Sequence, residues 1–191
     1  DCVVPNDWLK KLAAVFQRSG IAGVGGATRT GNPANPYAEV NDMMNNYFKS
    51  SLSASDVPFL TGNNIAYRRS ALEKAGGPDP RFRLGAEDRD LLFRVVRSGG
   101  TVLYDPSIVV DHYNDADFRR YVKHQFEFGK GSYLYYTVNR SSRQIPPGVY
   151  LGLLLHPFRT HAFGRALRLT LLVVLAQVAV IAGFITAALA G

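Results

Sequence analysis

The sequence predicts an α/β fold that runs into a membrane-crossing helix. Three observations carry this expectation. Short apolar runs suited to strands alternate with segments of helical period. Residues 169–190 carry no charge and are mostly Leu, Val, Ile and Ala, with Gln177, Thr170 and Thr186 the only polar side chains. About 20 such residues span a bilayer core. Finally, the charge is uneven: the net charge is +7, and after Glu127 no acidic residue occurs while Lys130, Arg140, Arg143, Arg159, Arg165 and Arg168 follow.

In order along the chain, Cys2-Val3-Val4 reads as a strand end before the Pro5 turn. Asn6 is the expected N-cap of a helix whose apolar face is Trp8, Leu9, Leu12, Ala13, Val15 and Phe16, with Gly20 closing it. Residues 21–27 form a Gly-interrupted apolar run, expected to be a buried strand approached closely by other backbone or by a ligand. After a Gly/Asn/Pro loop, residues 37–50 predict a helix weakened by Asn41, Asn45 and Asn46. Residues 57–61 predict a short strand leading to Gly62-Asn63-Asn64, then a second short run and a helix from Ser70 that stops at Gly76-Gly77.

The next helix opens with Glu87-Asp88-Arg89-Asp90 and ends before Gly99-Gly100. Asp88 shares the spacing of Leu91, Leu92 and Val95, so it is expected on the inward face. Glu87, Asp90, Arg94 and Arg97 are expected on a solvated stripe, with Asp90 and Arg94 an i,i+4 pair. Residues 101–104 and 108–110 predict two strands around an Asp105-Pro106 turn. A helix from Asp115 follows, then a Tyr-rich run and the Pro146-Pro147 break. Residues 149–155 are apolar but too short to span, and are expected at the membrane interface. The domain reading is therefore 1–138 catalytic, 139–166 a basic, partly interfacial linker, and 167–190 the span.

A basic tail beside an apolar span points to anionic lipid rather than nucleic acid. By the positive-inside tendency, the bulk of the chain is expected on the cytoplasmic side. Cys2 is the only cysteine, so no disulfide forms within the chain. The opening at Asp1, in mid-phrase, is expected of a fragment or a processed piece.

Four clusters hold residues suited to chemistry: Asp1 at a strand end, Gly62-Asn63-Asn64, Glu87-Asp88, and Asp111-His112-Tyr113. Each alone is commonplace: a terminal acid, an Asx turn, a helix start favoured by the dipole, a solvated histidine. Their order and spacing resemble the C-terminal half of a family 2 glycosyltransferase with a nucleotide-sugar-binding GT-A fold. Asp1 to Leu9 looks like the segment at and after an Asp-x-Asp metal motif, with Asp1 its last acid. Gly62-Asn63-Asn64 with Arg68 after it looks like the acceptor-side loop, and the segment from Phe82 to Leu91 looks like the acidic motif.

This resemblance, which covers roughly residues 1 to 135, implies a role for each position. Asp88 would be the catalytic base. Asp1 and His112 would hold a divalent cation, Mn²⁺ or Mg²⁺. Gly62, Asn63, Asn64, Arg68, Glu87, Gln125 and Lys130 would face substrate. The implied reaction is inverting transfer of a sugar from a nucleotide-sugar donor to a glycan or lipid-linked acceptor at the membrane. Two departures qualify it. The first acid of the metal motif and the nucleotide-binding half are not in these 191 residues, which alone are expected to be inactive. Gln125-Phe126-Glu127-Phe128-Gly129-Lys130 stands where processive synthases carry Gln-x-x-Arg-Trp, which favours single-sugar transfer. A metal-dependent nucleotidyltransferase and a non-enzymatic membrane-anchored remnant are the alternatives.

Overall fold

A computed structural model describes residues 1–52, 59–83 and 85–190. Its elements are β1 (Cys2–Val3), α1 (Trp8–Phe16), β2 (Ile21–Thr30), α2 (Pro36–Leu52), a 3₁₀ turn (Gly62–Asn64), β3 (Ile65–Tyr67), α3 (Arg69–Ala75), α4 (Glu87–Arg97), β4 (Thr101–His112), α5 (Phe118–Val138), α6 (Pro147–Thr160) and α7 (Phe163–Ala190).

One mixed sheet runs β1-β4-β2-β3. The central pair, β2 and β4, is parallel, and β1 and β3 add antiparallel edges. β2 is buried along most of its length, which is why it reads as a continuous run without polar alternation. Gly26 is required there: a Cβ would lie 2.0 Å from the Ile108 carbonyl oxygen. Residues 101–112 form one strand, not two. The register passes from Gly26 opposite Asp105 to Ala27 opposite Val109, so Pro106 and its neighbours are a bulge within β4. Pro106 has no N–H to give a ladder, so a bulge accommodates it where a sheet interior would not.

α1 begins at Trp8, with Asp7 rather than Asn6 at its N-cap. It packs Leu12 against Val24 and Ile108. Burying such side chains contributes roughly 1.5–3 kcal/mol each. The expected strand at 57–61 falls partly outside the described residues, and Phe59 to Thr61 are irregular. α5 starts at Phe118, capped by the Asp117 carboxylate, which accepts from the Arg120 amide at 2.8 Å.

α7 is long and apolar enough to cross a membrane. It packs back on the domain. Leu169, Val173 and Ala176 join Val40 and Met44 of α2 and Leu153 of α6 in one buried cluster. Further along, α5 and α7 cross with their backbones nearly touching. A Cβ on Gly129 would lie 2.1 Å from the Val180 carbonyl oxygen, and one on Gly183 would lie 1.9 Å from that of Phe126. Only glycine, with no Cβ, lets the two backbones come this close. At its start α7 is tied to α2 by Arg165, whose guanidinium lies 2.6 Å from the nearly buried Glu39 carboxylate.

Candidate functional site

The helix start that dominates the sequence is set by unusual backbone. Gly85 (φ 115°) and Ala86 (φ 67°) are both left-handed, and Ala86 is the single such non-glycine among the described residues. A non-glycine residue in that region costs roughly 1–2 kcal/mol, and such strain clusters at functional sites. The turn delivers Glu87 and Asp88 at the mouth of α4. Leu92 and Val95, on the same face as Asp88, are fully buried.

Asp88 lines a cavity of about 620 Å³. Its Oδ2 accepts a hydrogen bond from the Gly62 amide at 3.0 Å, and Oδ1 accepts from the Arg89 amide at 2.7 Å. Burial raises its pKa above the ordinary carboxylate range, and the Glu87 charge adds to that, while the two amides oppose it. A carboxylate so placed can take a proton from a bound hydroxyl.

The same cavity is lined by Asp1, His112, Gly62, Asn63, Glu87 and Gln125. Asp1 reaches it because β1 pairs antiparallel with the end of β4, Cys2 opposite His112, and the Tyr113 amide donates to the Asp1 carbonyl. One ligand atom from each of Asp1, Cys2 and His112 lies within 4.8 Å of the others. His112 Nδ1 is 2.9 Å from Asp42 Oδ1, which leaves Nε2 for a ligand. Asp42 is buried, and among the described residues its Oδ2 has no hydrogen-bond partner. A carboxylate behind a histidine is the usual support of a metal-ligating imidazole. Carboxylate oxygen with imidazole nitrogen suits Mn²⁺, whereas the Cys2 thiol is too soft a donor for Mn²⁺ or Mg²⁺. Asp1 and His112 therefore fit a divalent cation.

Three residues expected at the site lie elsewhere. Asn64 is buried and structural: it donates to the carbonyls of Ala27 (2.7 Å) and Ile108 (2.9 Å) and accepts from Trp8 Nε1 (3.0 Å). Arg68 stacks on Phe16 and donates to the Ile21 and Phe16 carbonyls, closing α1 onto β2. Lys130 lies over the Phe126 ring and pairs with Glu127 at 3.5 Å. The stripe expected to face water is also corrected. Asp90 is only 1% exposed, held by Arg94 (2.8 Å) and by the Asn139 amide (2.9 Å). Arg94 in turn donates to the Ala75 and Gly77 carbonyls. The end of α5 and the turn after α3 cover that side of α4, so the i,i+4 pair is an internal clasp. Conversely, Asn41 and Asn45 of α2, Arg89, His124 and Gln177 of α7 line the cavity without having been singled out. The signal for α2 was there: four poor helix formers, Asn41, Asp42, Asn45 and Asn46, crowd one helix.

Comparison with known proteins gives the class. The family model described as "Glycosyltransferase like family 2" matches residues 1–127. The chain belongs to this family, and its fold is that of the GT-A glycosyltransferases. Among solved structures it is similar to a mannosyltransferase from Pyrobaculum calidifontis in complex with GDP-mannose and Mn²⁺. The TM-score is 0.57 at 16% identity, over 98% of this chain and 60% of that one. The likeness is one of fold, and the present chain spans 60% of that enzyme's length. No curated protein matches the chain.

Proposed function

We propose that this chain is the acceptor-side part of a metal-dependent, inverting glycosyltransferase working at the cytoplasmic face of a membrane. The observation that carries the reading is that Asp88 shares one cavity with Asp1 and His112. A divalent cation held by Asp1 and His112 supplies positive charge to offset the diphosphate that departs from the donor sugar. Asp42 keeps the His112 imidazole turned toward that position. Asp88 faces the acceptor hydroxyl. As the hydroxyl oxygen bonds to the anomeric carbon, its proton passes to the carboxylate, and the electron pair of the breaking C–O bond leaves with the diphosphate. A single displacement inverts the anomeric centre. Gly62 holds Asp88 in place through its amide, and Asn63, Glu87 and Gln125 line the space where the acceptor sugar would sit.

The membrane assignment rests on α7 and on the basic residues before it, Arg159, Arg165 and Arg168. Because α7 also walls the cavity, through Gln177, Val180, Ile181 and Phe184, an acceptor carried by a lipid is well placed beside that apolar helix. The test is stereochemical. The full-length protein is supplied with an α-linked nucleotide sugar and Mn²⁺ in nanodiscs, and NMR reads the anomeric configuration of the product. A β-linked product supports the proposal; an α-linked product contradicts single displacement by Asp88.

A further inference from the structure

Arg89 is the residue the mechanism leaves unused. It is 6% exposed and lines the cavity that holds Asp88. Its guanidinium carbon lies 4.3 Å from the Tyr135 ring centre and 5.0 Å from that of Tyr136, and Nη2 donates to the Tyr136 hydroxyl at 2.9 Å. Among the described residues no carboxylate pairs with it. Of the neighbouring acids, Asp88 accepts from the Gly62 and Arg89 amides, Asp90 is held by Arg94 and Asn139, and Glu87 is exposed and forms no ion pair with Arg89 among the described residues. The half-buried guanidinium of Arg94 on the same helix does have its acid, Asp90, at 2.7 Å. A guanidinium cannot shed its proton, so burial without a counter-charge is costly unless a ligand brings one. The two aromatic faces offset only part of that cost.

The surroundings of Arg89 say what sort of ligand this is. Its partner Tyr136 meets Phe184 of α7, with ring centres 6.5 Å apart. Much of the lining of the same cavity is apolar, with Phe128, Ile145, Val180, Ile181 and Phe184. Ile181 both lines the cavity and is 57% exposed. It belongs to an exposed stripe of α7 with Val174, Val178 and Ile185, spaced as one helix face. The cavity thus gives onto the side of α7 that would meet lipid. The cation-binding pair Asp1 and His112 belongs instead to the β1–β4 end.

We propose that the acceptor is an anionic lipid: a phosphate or diphosphate seats against Arg89, and its hydrocarbon chain leaves the cavity over Ile181 along the exposed face of α7. The inference rests on the transferase reading and narrows it. It selects an acceptor sugar linked to its lipid through phosphate, and excludes a neutral glycolipid.

The test is equilibrium binding to the full-length protein in zwitterionic nanodiscs. Farnesyl phosphate, farnesol and inorganic phosphate are titrated in EDTA, which keeps the metal site from capturing phosphate. Farnesyl phosphate is expected to bind at least tenfold more tightly than either of the others. Arg89→Gln removes that advantage over farnesol to within about twofold, and Arg89→Lys retains most of it. GDP or UDP with Mn²⁺ binds the wild type and Arg89→Gln alike. Equal affinity of the wild type for farnesyl phosphate and farnesol overturns the inference with no variant needed. Loss of nucleoside diphosphate binding in Arg89→Gln, with its melting temperature unchanged, also overturns it, by assigning Arg89 to the donor. The two readings fail separately: a wild type that binds neither GDP nor UDP with Mn²⁺ contradicts the transferase reading, whatever farnesyl phosphate does.

Discussion

Asp42 makes the proposed cation site testable without any turnover. Its Oδ1 lies 2.9 Å from His112 Nδ1, and the two side chains are 4% and 13% exposed. So little water reaches the pair that none can replace the carboxylate and hold the ring. Asp42→Leu removes both the charge and the acceptor, leaving His112 free to change tautomer and rotate. Loss of such a supporting group typically costs 10–100-fold in metal affinity, about 1.4–2.7 kcal/mol at 1.36 kcal/mol per decade. Asp42→Asn keeps an acceptor oxygen for Nδ1–H but not the charge, so its loss falls at the lower end, about tenfold. The assay is Mn²⁺ titration of the full-length protein by calorimetry or by loss of the free-ion electron paramagnetic resonance signal. The melting temperature of each variant is recorded alongside. Unchanged Mn²⁺ affinity in a folded Asp42→Leu protein would refute the assignment of His112 as a ligand oriented from α2.

Lys49 is fully buried, with Nζ donating to the Gly26 carbonyl at 3.1 Å and to Thr28 Oγ1 at 3.0 Å, and burial lowers its pKa to about 8. The unfolded chain then holds this proton more tightly than the folded one, so stability rises as pH goes from about 8 to about 10.4. Lys49→Met should remove that rise from a melting-temperature series in detergent; a persisting rise would assign it to another group. Gly183→Val places side-chain atoms where the Phe126 carbonyl oxygen stands. Overpacking costs about 1–3 kcal/mol, and because Val180, Ile181 and Phe184 wall the cavity, transfer should fall together with the melting temperature. Unchanged values for both would mean that α7 does not dock on α5. The raised pKa of Asp88 places the acid limb of the pH–rate profile above the ordinary carboxylate value, with activity lost as pH falls through it. The same shift means that ionised Asp88 costs the fold stability above its unfolded pKa of about 3.9. Asp88→Asn should therefore melt at a higher temperature than the wild type at pH 7, but not at pH 3.

Elements with a strong local period were legible from sequence. The charge-free run of α7, the apolar faces of α1 and α4, and the Gly-rich buried strand β2 each announce themselves within one window. Asp88 could be placed on the inward face because it shares the spacing of Leu92 and Val95. Asp90 could not. Its burial depends on Asn139 and on the turn after α3, contacts no helical period contains. Asn64 and Arg68, expected to face substrate, are turned by tertiary packing toward Trp8 and Phe16. The pairing of Cys2 with His112 that brings the proposed cation ligands together joins residues far apart in sequence. So does the Asp42–His112 contact, which made α2 look merely like a weak helix. Arg89 was passed over because a basic residue in an acidic helix start usually faces water.

Asp88 is proposed to be the base of a metal-dependent sugar transfer. Turnover of a nucleotide-sugar donor by the full-length protein in nanodiscs, with Mn²⁺ and a lipid-phosphate-linked sugar acceptor, tests it most directly in wild type and Asp88→Asn. Removing a general base costs about 10²–10⁴-fold. A loss of that size is expected in Asp88→Asn, with abolition by EDTA in the wild type and equal binding of the donor nucleotide to both. Asp88→Asn turning over at the wild-type rate would contradict it.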